Sequence, residues 1–161
     1  MIFNRSSVLA AVAAAPFVLA AVPLSAADNP FAALDGAWGG SGNVRLDTGK
    51  TERLKCKGYY NVKGGSGLGL AINCGNPSFK INMRATLTSA GDRISGSWEE
   101  REFNQVGTVS GKVTEKGLSL SFSGGITGSM SITLEGTGQT VTISTGGPGF
   151  IGANLQFAKM S

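Results

Sequence analysis

Two cysteines lie in adjoining runs of alternating apolar and polar residues, and this combination constrains the fold more than any other feature of the chain. Cys56 and Cys74 are the only cysteines. Each stands at an even position in a run whose even positions are apolar, as in a β-strand with one buried face. Only the segment Gly64-Gly65-Ser66-Gly67 separates the runs. They are therefore predicted to form a β-hairpin.

A hairpin register centred on Gly65 places every apolar residue of the first run opposite an apolar residue of the second. In this register Tyr60 faces Leu70 and Cys56 faces Cys74. A slip of one residue would turn one strand inside out, so the alternation and the cysteines favour the same pairing. We therefore predict a disulfide on the inner face of this hairpin.

Short alternating runs continue to the end of the chain, and no stretch shows a helical period. Around a turn at Ala90-Gly91, pairing Leu87 with Ile94 would place Met83 opposite Trp98. The same pattern extends from a first strand near Ala37 to Leu46 to a closing strand with Leu155. About ten strands are predicted, all joined by short connections.

An antiparallel meander of this size must protect its edges, and pairing of the last strand with the first does so. The predicted fold is therefore all-β, an up-and-down meander forming a closed or nearly closed barrel; a β-sandwich is the alternative. A strongly curved sheet is also indicated by inward-facing glycines, namely Gly58, Gly96, Gly107 and Gly111.

The amino-terminal residues are typical of a secretory signal peptide. Arg5 precedes an apolar run over 8–22, and Ser25-Ala26-Ala27 provides small residues for cleavage. The prediction is a signal over 1–27, cleaved near Ala27, a loose tail over 28–35 and a single barrel domain over 36–161. The protein would then be periplasmic or secreted, where a disulfide persists.

Charge and composition disfavour several functions. The chain has 14 basic and 10 acidic residues and no histidine. Without histidine, zinc sites and Ser-His-Asp catalysis are disfavoured. Modest charge and export also disfavour nucleic-acid binding. Glu99, Glu100 and Glu102 could in principle serve glycoside hydrolysis, but alternation separates Glu99 from Glu100. We predict no catalytic residue, metal or cofactor.

Basic residues cluster on the outer face of the predicted sheet. Arg53, Lys55 and Lys57 point outward from one strand, and Lys80 and Arg84 from the strand two positions away. The strand between them carries mostly small outward residues. These cations could form a shallow groove for an anionic partner such as a sugar acid, a lipid head group or an acidic protein. Alternatively, they are an ordinary solvated face that protects the strands.

The barrel interior is the second candidate site. It would hold a small apolar ligand, or simply a packed core, depending on whether a cavity exists. The residues predicted to plug or line it are Trp38, Leu70, Met83, Trp98 and Phe122.

Three resemblances add to this interpretation. Gly36-x-Trp38 at the first strand resembles lipocalins, in which the Trp plugs one end of the barrel. The same motif with two later cysteines resembles periplasmic inhibitors of secreted metalloproteases, whose mobile amino-terminal tail enters the protease; the matching tail would be 28–34. The set GxWxGxG, ERxxCxxxY, a second Cys and GxWxE resembles small exported proteins of Gram-negative bacteria with no assigned activity.

The last resemblance implies an exported β-protein but no particular chemistry. The leading hypothesis from the whole sequence is a non-catalytic binding module in the cell envelope, with an envelope ligand or anionic partner. An inhibitor-like protein is one alternative. A small outer-membrane barrel is the other. Membrane insertion is disfavoured because the sequence shows no aromatic girdles and ends without a terminal aromatic residue.

Overall fold

The computed structural model describes residues 28–161, which form a closed barrel of ten antiparallel strands. Each strand pairs with the next in sequence, and the last pairs with the first. The predicted up-and-down barrel is therefore confirmed, whereas the predicted signal peptide lies outside the described residues. The strands are β1 (Gly36–Leu46), β2 (Thr51–Lys63), β3 (Gly67–Gly75), β4 (Lys80–Ala90), β5 (Arg93–Glu100), β6 (Gln105–Thr114), β7 (Gly117–Gly124), β8 (Gly128–Glu135), β9 (Gly138–Thr145) and β10 (Phe150–Lys159).

The β2–β3 hairpin has the predicted register. Tyr60 pairs with Leu70, and Cys56 pairs with Cys74. The two cysteines form a disulfide with a Cα–Cα distance of 4.1 Å, and both side chains are buried. Alternation and cysteine spacing were thus sufficient to fix this register. The bond is typical of an oxidising compartment outside the cytoplasm.

The predicted register of β4 and β5 is wrong, although the predicted inner faces are right. Leu87 pairs with Gly96 instead of Ile94, and Trp98 lies opposite Ala85 instead of Met83. The connecting turn consists of Gly91 and Asp92, with Gly91 at a φ of +65° that favours glycine. A register that differs by two residues keeps every side chain on its face, so alternation could not distinguish the two.

Inward glycines mark places where neighbouring strands approach very closely. A Cβ at Gly96 would fall on the carbonyl oxygen of Thr86, and one at Gly111 on that of Ser119. At Gly107, it would meet the carbonyl of Ser123. The curvature predicted from these glycines therefore depends on the absence of a side chain.

Residues 28–35 are packed against one end of the barrel, in contrast to the loose tail expected from sequence. Phe31 and Leu34 are fully buried, and Ala32–Leu34 forms a short 3-10 helix. The Asn29 side chain donates to the backbone oxygens of Gly64 and Gly67 in the β2–β3 turn. Two apolar side chains thus supply the energy that holds this segment, which we call the plug.

The core fills the barrel from the plugged end. A single cluster of buried apolar side chains runs from the plug through the barrel interior. At the other end, several apolar residues are only half-buried against this cluster, among them Leu46, Phe79, Ile81, Met83, Phe122, Ile126, Met130, Ile143 and Phe150. The two ends of the barrel therefore differ in how completely they are closed.

Candidate functional site

The predicted basic residues lie together on one outer face of the barrel. Arg53, Lys55 and Lys57 are exposed on β2, and Lys80 and Arg84 are exposed on β4. Strand β3 lies between these strands and pairs with both. Alternation therefore predicted correctly which side chains share this face.

Small residues of β3 form the floor between these two rows. Gly75 lies between Lys55 and Lys80, and Ala71 lies between Tyr59 and Arg84. We call this surface the basic groove: its floor is the outward set of β3, and its sides are the cations of β2 and β4. Neighbouring strands are about 4.8 Å apart, so the two sides are separated by about 10 Å.

A sixth cation, Lys63, belongs to the groove and was not among the predicted residues. Its ammonium lies 3.5 Å from the position a Cβ would take at Gly69, so the side chain crosses the floor there. Lys80 packs similarly beside Gly75, with its Cγ 3.6 Å from the corresponding position. Lys57 and Lys63 both occupy odd positions of β2. Continuing the alternation for six residues beyond Lys57 would therefore have placed Lys63 on the same face.

The groove carries no acidic residue of its own, and one carboxylate borders it: Glu99 of β5 lies directly opposite Arg84. The outward positions of β2, β3 and β4 carry no aspartate or glutamate. Within residues 28–161, the only salt bridge joins this Glu99 to Arg101 at 2.8 Å, so none of the groove cations is in an ion pair. Six like charges on the two strands that flank β3 repel one another unless an anion lies among them.

Uncharged recognition groups are also present on this face. Tyr59 is outward on β2 and 46% exposed, although tyrosine is usually more deeply packed. Asn73 is exposed on the floor and pairs with Lys57 on one side and Asn82 on the other. Because the Oδ1 of Asn82 is buried, the groove offers an aromatic ring and the amide of Asn73 as well as cations.

The predicted interior residues lie inside the barrel but do not enclose a common hollow. Trp38, Leu70 and Trp98 are buried in the core, whereas Met83 and Phe122 are half-buried toward the unplugged end. Trp38 contacts the plug, because its indole Nε1 donates a hydrogen bond to the backbone oxygen of Leu34. Trp38 and residues 28–35 therefore lie together at this end of the barrel.

A hollow of about 520 Å³ lies on the outer surface of β6 to β9. Of the five interior candidates, only Phe122 contributes to it. The remaining lining is glycine and hydroxyl side chains: Thr108, Ser110, Ser121, Ser123, Thr127, Gly128, Ser129, Ser144 and Thr145. It contains no charged group, so its surface differs in chemistry from the basic groove.

The three glutamates that follow Trp98 do not form a shared site. Glu100 is buried and accepts hydrogen bonds from the backbone amides of Asn82 and Phe103, at 2.6 and 2.7 Å. Glu99 instead pairs with Arg101. These carboxylates hold the turn between β5 and β6 in place, which is a structural use of their charge.

One buried polar pair crosses the barrel interior near the plug. Gln139 Nε2 lies 3.1 Å from the Tyr60 hydroxyl, and both residues are buried. Burial raises the pKa of Tyr60 to about 12, and the hydrogen bond to Gln139 acts in the opposite direction. The phenol therefore remains neutral well above pH 10, and the pair satisfies polar atoms in an apolar core.

The fold defines an all-β protein with a closed ten-stranded barrel, and the basic groove lies on the outer wall of this barrel. The chain matches no family model and no curated protein. In three dimensions it is similar to the crystal structure of Rv2717c from M. tuberculosis. The two are 13% identical, the TM-score is 0.70, and the match covers 81% of this chain and 95% of that one. At this identity the likeness concerns the fold alone.

Two designed proteins are similar at a lower level. A redesigned β-barrel, b11L5F_LGL, gives a TM-score of 0.49 at 11% identity, covering 85% of this chain and all of that one. The redesigned barrel mFAP1, bound to DFHBI, gives a TM-score of 0.46 at 13% identity, and the match covers 79% of this chain and 95% of that one.

In residues 28–161, no helix is long and apolar enough to cross a bilayer.

Proposed function

We propose that this protein is a non-catalytic binding module that acts outside the cytoplasm and holds an anionic partner in the basic groove. The observation that carries the proposal is the excess of positive charge on that face, which the one bordering carboxylate, Glu99 opposite Arg84, offsets only in part. Six exposed cations flank a floor of small residues, and no carboxylate shares their outward positions. An anion placed there would satisfy several cations at once.

The geometry favours a bound partner over a merely solvated face. Lysines that only protect strand edges are expected on unpaired strands. Here β2, β3 and β4 are paired on both sides within a closed barrel, so the groove has no edge to protect. Most floor residues are glycine or alanine, and the side chains that lie over Gly69 and Gly75 are those of Lys63 and Lys80, which are flexible and which an anion would contact directly.

Binding rather than catalysis agrees with what surrounds these cations. The groove contains lysine, arginine, asparagine and tyrosine but no histidine or carboxylate that could act as a general base near neutral pH. Its side chains can orient and neutralise an anion. An inhibitor function through a mobile tail has less support, because Phe31 and Leu34 hold that segment against the barrel.

The experiment compares two charge-matched double variants of the full chain. Lys55→Glu with Lys57→Glu reverses two groove charges, and Lys112→Glu with Lys116→Glu makes the same net change elsewhere. Binding of fluorescent dextran sulfate is followed by anisotropy in 0.15 M salt. We expect the groove variant to weaken binding by about tenfold and the control to change it little. Equal weakening in both variants would show that net charge alone is responsible.

A further inference from the structure

We propose, on the basis of the anion-binding function above, that the groove accommodates an extended acidic polysaccharide lying along β3. Its shape is the first reason. The floor strand has nine residues and spans about 30 Å, whereas the two rows of cations are about 10 Å apart. A long, narrow surface with charge on both sides fits a chain better than a compact ion.

The spacing of the cations is the second reason. Along one strand, outward side chains recur about every 6.8 Å, so Arg53, Lys55 and Lys57 form a row of evenly spaced charges. Lys63 extends the β2 side of the groove to the far end of the floor. A polymer carrying one carboxylate on each unit could meet these cations successively, and each contact would raise the effective concentration of the next.

The uncharged groups distinguish a sugar chain from other polyanions. Tyr59 presents a half-exposed ring beside Ala71, whose small side chain leaves space next to it. Such a ring can pack against the apolar face of a sugar while its hydroxyl remains in water. The exposed amide of Asn73 can both donate to and accept from sugar hydroxyls. A phosphate chain has no apolar face to pack against this ring, although it could accept a hydrogen bond from the amide.

An anionic bilayer is less suited to this surface. Peripheral binding to lipid requires apolar side chains that enter the interface beside the cations. Among the large exposed apolar side chains of residues 28–161, only Tyr59 lies in the groove; the others are Phe103, Val106, Ile151 and Met160. A planar surface would also contact only part of a convex barrel wall.

The test uses the full chain and four defined probes: galacturonic acid, oligogalacturonates of increasing length, polyphosphate, and vesicles of phosphatidylglycerol. Calorimetry should show affinity rising with oligogalacturonate length until the chain spans the groove, and little binding of the monomer. Tyr59→Ser should weaken oligogalacturonate binding by about fivefold, on the scale of other aromatic contacts, and leave polyphosphate binding unchanged. Phe103→Ser, which removes an exposed ring outside the groove, should change neither.

The outcomes separate this inference from the function on which it rests. The polysaccharide inference is wrong if polyphosphate or vesicles bind through Lys55 and Lys57 more tightly than oligogalacturonate. It is also wrong if Tyr59→Ser has no effect on oligogalacturonate binding. In both cases the anion-binding function stands. If Lys55→Glu with Lys57→Glu changes no interaction with any probe, both are wrong. Neutral dextran of matched length serves as the uncharged control and should not bind.

Discussion

The indole Nε1 of Trp38 donates a hydrogen bond of 2.7 Å to the backbone oxygen of Leu34. This bond joins the first strand to the plug. The amide of Val62 donates to the Asp35 side chain at 3.0 Å and fixes the end of the same segment. The barrel is therefore closed at this end by residues that precede its first strand.

Removing the buried plug side chain should destabilise the whole domain. Leu34 is 1% exposed, so Leu34→Ala should lower the free energy of unfolding by about 2 to 5 kcal/mol through lost burial and a residual cavity. Ala33 is exposed in the same turn, and Ala33→Ser is the control. Urea denaturation gives both values, and equal midpoints for the two variants would mean that the plug is not held by Leu34.

Inward glycines should not tolerate even a methyl group. Gly111→Ala places a Cβ on the Ser119 carbonyl and within 2.9 Å of Leu120, so adjacent strands must separate. The expected loss of stability is about 2 kcal/mol or more. Gly65 lies in the β2–β3 turn with open space around its Cβ position, and Gly65→Ala should stay within about 0.5 kcal/mol of the native protein. Comparable melting temperatures for both variants would contradict this account of the curvature.

The disulfide should contribute to stability chiefly by restricting the unfolded chain. Cys56 and Cys74 are 18 positions apart, for which the chain-entropy estimate is about 3 kcal/mol. Replacing both with alanine should lower the free energy of unfolding by that amount. Reductant should have the same effect on the native protein and none on the variant, as measured by chemical denaturation. A variant as stable as the oxidised native protein would show that the bond is not stabilising.

The sequence predicted some parts of this structure better than others for identifiable physical reasons. In the β2–β3 hairpin, Cys56 and Cys74 removed the ambiguity left by alternation. No such constraint existed between β4 and β5, and two registers shared the same faces. The plug was missed because Phe31 and Leu34 belong to a stretch without strand or helical period. Their burial depends on the barrel end, which exists only after the strands have closed.

The candidate site shows the same division. Strand alternation placed Arg53, Lys55 and Lys57 on one face, because side-chain direction is fixed by the pleat. It also placed Lys80 and Arg84 beyond a floor of small residues. The path of the Lys63 side chain across Gly69 could not be predicted, because a long side chain chooses its rotamer from local space. The face on which each side chain lies was therefore predictable, but the path of a long side chain across that face was not.

Stability should fall in alkaline solution because of Tyr60. Its pKa is about 12 in the folded protein, raised by burial, and about 10 when the chain is unfolded. The contribution of the neutral Tyr60 phenol to the free energy of unfolding is fully present below pH 10. It decreases by about 1.4 kcal/mol per pH unit from there to about pH 12, because only the unfolded state releases the proton. Tyr60→Phe removes this ionisation, so the difference in unfolding free energy between pH 8 and pH 11 should be smaller in the variant. Urea titrations at both pH values measure it, and an equal decrease in both proteins would show that Tyr60 is not the group responsible.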